Sequence, residues 1–444
     1  MDSMIKSNRI IKKMKIEHSN CTVYYHKLKQ LFRKLGSHLE ELEMDYIKIT
    51  PIKLSKLLNL LPNLKYLRLD PRGEDKTITK RKWFRKLLFQ RKPKCLMLNN
   101  LKCLTLNSCN HDHERVFRSL PEGVIKHFTR TMCEGRNVEK FMKIQKNIKN
   151  LSLCYRNETE SIEFEHLELT EFKCHLTDCT TLLNVINTQP KLTKLSLERV
   201  KINDVIFNQI MNLHELKSIK ISIKGVTSEQ YINIAKLISL QELGVIDASS
   251  SFIYALSQCK DLHLKKINLR FEDVDDAVDS MDLIKISQNN PELNYLKIDK
   301  LYVPQSVLKA FLINCRNMEV LEFTKYLGYE EIVFGSLNGI LDDTLLFNYN
   351  LKTLVLPNLS FDFSYQDNFI SNFPNLIRLR LMMENKYNWE RFQLLLNGLP
   401  KLKIIELQSF FEMTPHEKET VNMRSKDRKM DFCQVFHKRS SRVF

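Results

Sequence analysis

Three small groups of side chains have types and spacings that chemistry can use. Cys109, His111 and His113 place three metal-ligating groups within five residues, and two histidines one residue apart can share an ion. No fourth ligand follows at a usable spacing, so an exposed polar turn is the better reading. Cys174, His175 and Cys179 raise the same question, but Cys174 stands where the surrounding pattern calls for a buried leucine. His416-Glu417 opens like a zinc-protease helix, yet Thr420 occupies the place of the second histidine. Nucleophile elbows, phosphate loops and dinucleotide fingerprints all need clustered glycines, and 10 glycines in 444 residues form none of them. The expectation is a protein without catalytic residues, cofactor or metal.

A fourth group is electrostatic. Lys80, Arg81, Lys82, Arg85 and Lys86, followed by Arg91, Lys92 and Lys94, surround Trp83 and Phe84. Cations interleaved with aromatics can neutralise phosphates and stack bases. Two basic clusters can also form a nuclear-localisation signal. Alternatively, Trp83, Phe84, Leu87 and Leu88 have helical spacing and form the inner side of an amphipathic helix with a solvated basic face. The chain carries 69 Lys and Arg against 52 Asp and Glu, a net charge of +17, and residues 1–150 alone account for +20. The first third is therefore the place to look for an acidic partner.

The elements that position these groups follow from a repeat. The pattern L-x-x-L-x-L, with other apolar residues allowed, begins at Ile11, Leu39, Leu64, Leu101, Ile148, Leu169, Leu192, Leu216, Leu240, Leu264, Leu293, Met318, Leu351, Leu376 and Leu402. Between Leu169 and Leu264 the steps are 23, 24, 24 and 24 residues, within the range of leucine-rich repeats. In L-x-L two side chains fall on one face of a short strand, because strand side chains alternate. Amphipathic stretches such as Pro51–Leu61 lie between the strands. Pro62, Pro190, Pro291, Pro374 and Pro400 stop them before the next strand. A unit of this kind buries its apolar side only against its neighbours, so the units stack. The predicted fold class is α/β, a leucine-rich-repeat solenoid or horseshoe with parallel concave strands and convex helices. It spans residues 1–412 in about fifteen units. Basic insertions are expected at 71–100 and 107–147, and a capping helix with a basic tail at 413–444, where Thr414-Pro415-His416-Glu417 has the form of a capping box.

The phrases LLNLLPNLKYLRLD at 57–70, NTQPKLTKLSLERVKIND at 187–204 and NNPELNYLKIDKL at 289–301 resemble the irregular repeats of F-box and leucine-rich-repeat proteins. The resemblance covers Ile11 to Leu407. It implies a substrate-recognition subunit of a cullin–RING ubiquitin ligase, with a Skp-type adaptor and a cullin as partners and the ligase chemistry in other subunits. That family places its F-box before the repeats and opens it with Leu-Pro-x-Glu. The similar phrase Leu120-Pro121-Glu122 lies between repeats and is read as coincidence. An F-box is thus expected upstream of Met1, or a partner over the edge of the first strand. A ligase-independent scaffold or regulator, and a nucleic-acid-associated protein using the basic third, are the alternatives.

Strand alternation also names the partner face. Tyr66, Arg68, Tyr295 and Lys297 are expected to project from the concave side, as are Val320, Glu322, Val355, Arg378, Arg380, Met382 and Ile404. Tyrosine and arginine dominate interface hot spots, and the apolar members near the C-terminal end point to a protein partner. Lysines break every apolar run near Met1, and nothing approaches a membrane span, so a cytoplasmic or nuclear location without membrane contact is expected.

Overall fold

The structure, a computed structural model, describes residues 10–17, 24–71, 96–109, 114, 116–131, 138–154, 163–175, 179–198, 200–272, 278–301, 303–324, 348–361, 366–383, 389–409, 419 and 431–436. The chain forms two compact units, Met1–Val200 and Lys201–Phe444.

The first unit carries eight strands: β1 (Lys13–Glu17), β2 (Glu41–Ile47), β3 (Tyr66–Pro71), β4 (Cys103–Asn107), β5 (His127–Thr131), β6 (Asn150–Cys154), β7 (Glu171–His175) and β8 (Lys194–Glu198). Each pairs in parallel with the next. Helices α1 (Tyr25–Leu35), α2 (Pro51–Leu58), α3 (Val138–Ile144) and α4 (Cys179–Thr188) connect them. The second unit repeats the plan with β9 (Ser218–Ser222), β10 (Glu242–Ala248), β11 (Lys266–Phe271), β12 (Tyr295–Asp299), β13 (Val320–Thr324), β14 (Thr353–Phe361), β15 (Arg378–Met383), β16 (Ile404–Ser409) and β17 (Asp431–Phe436), again all parallel. Its connections are α5 (Asp204–Ile210), a 3-10 helix (Ser228–Lys236), α6 (Ser250–Gln258), α7 (Ser280–Asn289), α8 (Gln305–Asn314), α9 (Gln366–Asn372) and α10 (Trp389–Gly398).

All fifteen predicted strands are present, each starting two residues after its first apolar position. The leucines go inward: Leu64, Leu67 and Leu69 are fully buried, as are Leu376 and Leu379. Two further strands lie where none was expected. β5 falls within 107–147, so that stretch is a repeat and not only an insertion. Its core positions are Ile125, Phe128 and Arg130, and the arginine in place of the last leucine hides the pattern. The F-box-like phrase is the turn leading into it. Gly123 there has φ +67°, and a Cβ would meet the Asn147 amide nitrogen at 2.7 Å, so glycine fits both the turn and the close approach. β17 falls within the expected basic tail and pairs residue by residue with β16, from Ile404 with Asp431 to Ser409 with Phe436. Residues 411–418, with the expected start of the capping helix, lie outside the described residues.

Two sets of side-chain amides tie repeat to repeat. The residue just before the first apolar position is asparagine in six repeats, and in five of them its amide donates to a carbonyl of the preceding repeat, always two residues before that repeat's own first apolar position. The pairs are Asn63 to Ser37 at 2.7 Å, Asn100 to Pro62 at 3.1 Å, Asn147 to Gly123 at 2.7 Å, Asn350 to Arg316 at 3.3 Å and Asn375 to Tyr349 at 2.8 Å. The second set is buried. Gln145, Gln189 and Asn290, three residues before the first apolar position, accept from the backbone N–H of Ile125, Leu169 and Leu264 in the preceding repeat at 3.1, 2.7 and 2.7 Å. Their amide groups donate onward to the carbonyls of Pro121, Phe164 and Ile286, each at 2.9 Å. Buried polar groups must be paired in this way to avoid a desolvation cost.

Candidate functional site

In each unit the strand side chains that point away from the leucine core form rows across the parallel ladder. In the second unit one row runs Lys266, Tyr295, Val320, Thr353, Arg378, Ile404. The adjacent row runs Asn268, Lys297, Glu322, Val355, Arg380, Glu406. The structure thus places Tyr295, Lys297, Val320, Glu322, Arg378, Arg380 and Ile404 on one face of β12–β16, all of them half-buried.

The charged members form one chain of ion pairs. Lys297 Nζ lies 3.6 Å from Glu322, Arg378 bridges Glu322 at 3.7 Å and Glu406 at 3.0 Å, and Arg380 meets Glu406 at 3.5 Å. Lys297 also reaches Asp299 at 3.7 Å. The Glu322–Arg378 pair crosses β14, because its members sit on β13 and β15. Val355 lies between them, in register with Glu322 on one side and Arg380 on the other, and is 2% exposed. The expectation that Val355 offers an apolar surface is therefore corrected: it is buried on a strand that the Glu322–Arg378 pair crosses. The phenol of Tyr295 is raised above its ordinary pKa by burial and then by the Glu322 and Asp299 carboxylates, so it stays protonated at neutral pH. Met382 pairs through its backbone with Gln408, and its side chain lies outside the described residues.

Tyr66 and Arg68 belong to the first unit, in rows with Glu41 and Cys103 and with Glu43 and Thr105. Both are half-buried. Arg68 Nε stands 3.3 Å from the Asp45 carboxylate, which Lys15 approaches at 3.7 Å. Burial and then Glu43 raise the Tyr66 pKa, while its hydrogen bond with Thr105 and the charge of Arg68 oppose them.

The basic run with Lys80, Arg81, Lys82, Arg85, Lys86, Arg91, Lys92 and Lys94 lies outside the described residues, as do His111 and His113. Cys109 is buried, with its sulfur 3.9 Å from the Leu69 carbonyl. Among the described residues no three His, Cys, Asp or Glu side chains come together as a metal site. Nor is any described helix long and apolar enough to cross a membrane.

The strands were enough to name the members of each row, but not the pairing between members, which carries Arg378 to Glu406 on the next strand and to Glu322 two strands back. A buried ion pair went unseen as well. Arg130 Nε lies 2.9 Å from Glu114, with Arg130 1% exposed and Glu114 6%. The available signal was an x-F-x-R strand in the wide gap before Ile148.

No family profile and no curated protein sequence matches the chain. Among solved structures it is similar to an internalin from Listeria monocytogenes, at 18% identity over 97% of this chain and 88% of that one, with a TM-score of 0.28. It is similar to a chain of the TLR13–ssRNA13 complex at 16% identity, covering 94% and 66%, with a TM-score of 0.40. It is similar to a chain of the yeast Rad7 and Elc1 complex at 15% identity, covering 88% and 82%, with a TM-score of 0.38. The parallel one-strand-per-repeat ladders and their buried leucine register identify both units as leucine-rich-repeat solenoids of the α/β class.

Proposed function

We propose that the chain is a non-catalytic protein-binding module that holds its partner on the open strand face of β12–β16. One observation carries this reading. Tyr295, Val320, Arg378 and Ile404 stand in a single half-buried row, flanked by the Lys297-to-Arg380 ion chain. An aromatic and an arginine beside small apolar side chains, rimmed by fixed charges, have the composition of an interface centre. Half-buried charges already held by neighbours also enter an interface at less ordering cost than free ones.

The finer reading is substrate recognition for a cullin–RING ligase, supported by the resemblance of the repeat phrases to F-box and leucine-rich-repeat proteins. Isothermal titration of the purified chain, and of the chain with its upstream coding sequence, against a Skp-type adaptor–cullin pair tests it. Binding by either form supports the role. Silence from both leaves a ligase-independent scaffold. Within either role, Tyr295→Ala and Arg378→Glu should abolish capture of the partner while leaving adaptor binding intact. The nucleic-acid alternative rests on the Lys80–Lys94 run. It requires binding to single-stranded RNA or DNA that falls steeply with salt and disappears when those lysines and arginines are neutralised.

A further inference from the structure

The helical side of the second unit carries a feature that the strand-face reading does not use. Val205, Ile232, Tyr254 and Met281 are 60%, 47%, 59% and 55% exposed. They sit on four successive connecting elements: α5, the 3-10 helix, α6 and α7. Solvent-facing positions of such elements are ordinarily polar, because nothing covers them. Ile232 and Tyr254 line one groove of about 660 Å³, open to solvent, together with Ala255. Its remaining lining includes three carboxylates, Glu229, Asp279 and Asp282.

Two of these acids have local duties. Asp279 caps α7 by accepting from the Met281 N–H at 2.8 Å, and Asp282 accepts from the Ser257 hydroxyl at 2.9 Å with Lys285 at 3.6 Å. Glu229 is exposed and has no ion pair among the described residues, and Asp279 has none either. The excess positive charge of the chain lies in residues 1–150, outside the second unit, and the rim of this groove is acidic. We infer that this groove is a second docking site, for a basic amphipathic segment of a partner protein, with an apolar side chain set between Ile232 and Tyr254 and a Lys or Arg facing Glu229 and Asp279. The complementarity is twofold. The exposed aromatic ring offers its face to a cation, and the carboxylates on the rim favour cationic partners and repel acidic ones.

A fluorescein-labelled twelve-residue peptide of repeating Lys-Leu-Arg, with a Glu-Leu-Glu peptide as its opposite, is the probe. Anisotropy titrations on the whole chain should show saturable binding of the basic peptide and none of the acidic one. Glu229→Lys and Tyr254→Ser each alter an exposed side chain, so folding should survive, with circular dichroism melts as the control. Each should weaken binding at least fivefold, whereas Arg378→Glu on the strand face should not. Hydrogen exchange should slow across 228–236 and 250–258 on peptide addition. Equal binding of both peptides, affinity unchanged in the two groove variants, or protection confined to other segments would overturn the inference. So would sedimentation showing a dimer that Tyr254→Ser dissociates, since the groove would then belong to a second copy of the chain.

Discussion

Arg378 on β15 reaches over β14 to Glu322 on β13, 3.7 Å away, while its other terminal nitrogen holds Glu406 on β16 at 3.0 Å. One side chain thereby ties three repeats. Arginine suits this place because its planar fork presents a separate terminal nitrogen to each carboxylate.

The first prediction concerns that bridge. The pair is partly exposed, at 37% for Arg378 and 20% for Glu406, so solvent screens it. A double-mutant cycle of Arg378→Ala with Glu406→Ala should give a coupling of about 0.5–1 kcal/mol in denaturant unfolding, falling at high salt. Arg378→Lys should lose most of that coupling.

The buried pair should behave differently. Arg130 and Glu114 are almost wholly enclosed, so removing one partner strands the other charge. Arg130→Ala should cost about 3–5 kcal/mol. Arg130→Leu combined with Glu114→Leu should return stability to within about 1 kcal/mol of the parent, because β5 would regain the leucine that its neighbours carry. Urea titrations compare the three proteins directly.

The amide ladder gives a third expectation. Gln189→Ala would leave the Leu169 N–H without its acceptor at 2.7 Å, and Asn290→Ala would do the same to Leu264. Each loss should cost about 1–3 kcal/mol. Amide exchange at Leu169 or Leu264 should accelerate well beyond that at distant strands.

Burial pushes the thiols of Cys259 and Cys315 up to about 11 and about 12. Both should therefore resist thiol reagents in the native protein at pH 8 and react on unfolding. In the unfolded chain they ionise near the ordinary thiol value, so above it the native state binds more protons. Their contribution to stability is full below that value and is lost as pH rises toward 11–12. Tyr66, Tyr231 and Tyr295, also raised by burial, act in the same direction. Melting temperatures across pH 8–11 should decline, and more shallowly in Cys315→Ala than in the parent.

How much of this was legible in the residues can be judged strand by strand. Leu64, Leu67 and Leu69 announce β3, because a period of two beside a turn leucine has few other uses. The same rule passes over β5, where Arg130 takes a leucine position, and β17, where Gln434 stands in register with Leu407. A charged residue in the pattern reads as a surface residue until its partner is known. The asparagine in the Pro-Asn-Leu phrases at 62–64 and 374–376 was visible, and only the structure showed its amide reaching back to Ser37 and Tyr349.

Local periodicity alone set the α/β repeat, the inward direction of its leucines and, for fifteen of the strands, the membership of the strand-face rows. Which members of those rows are exposed was decided in three dimensions. Val355 and Val320 have the same character and stand in adjacent rows of one face, yet one is buried and the other is half open. Burial depends on side chains of other repeats, and these meet only once the repeats are stacked.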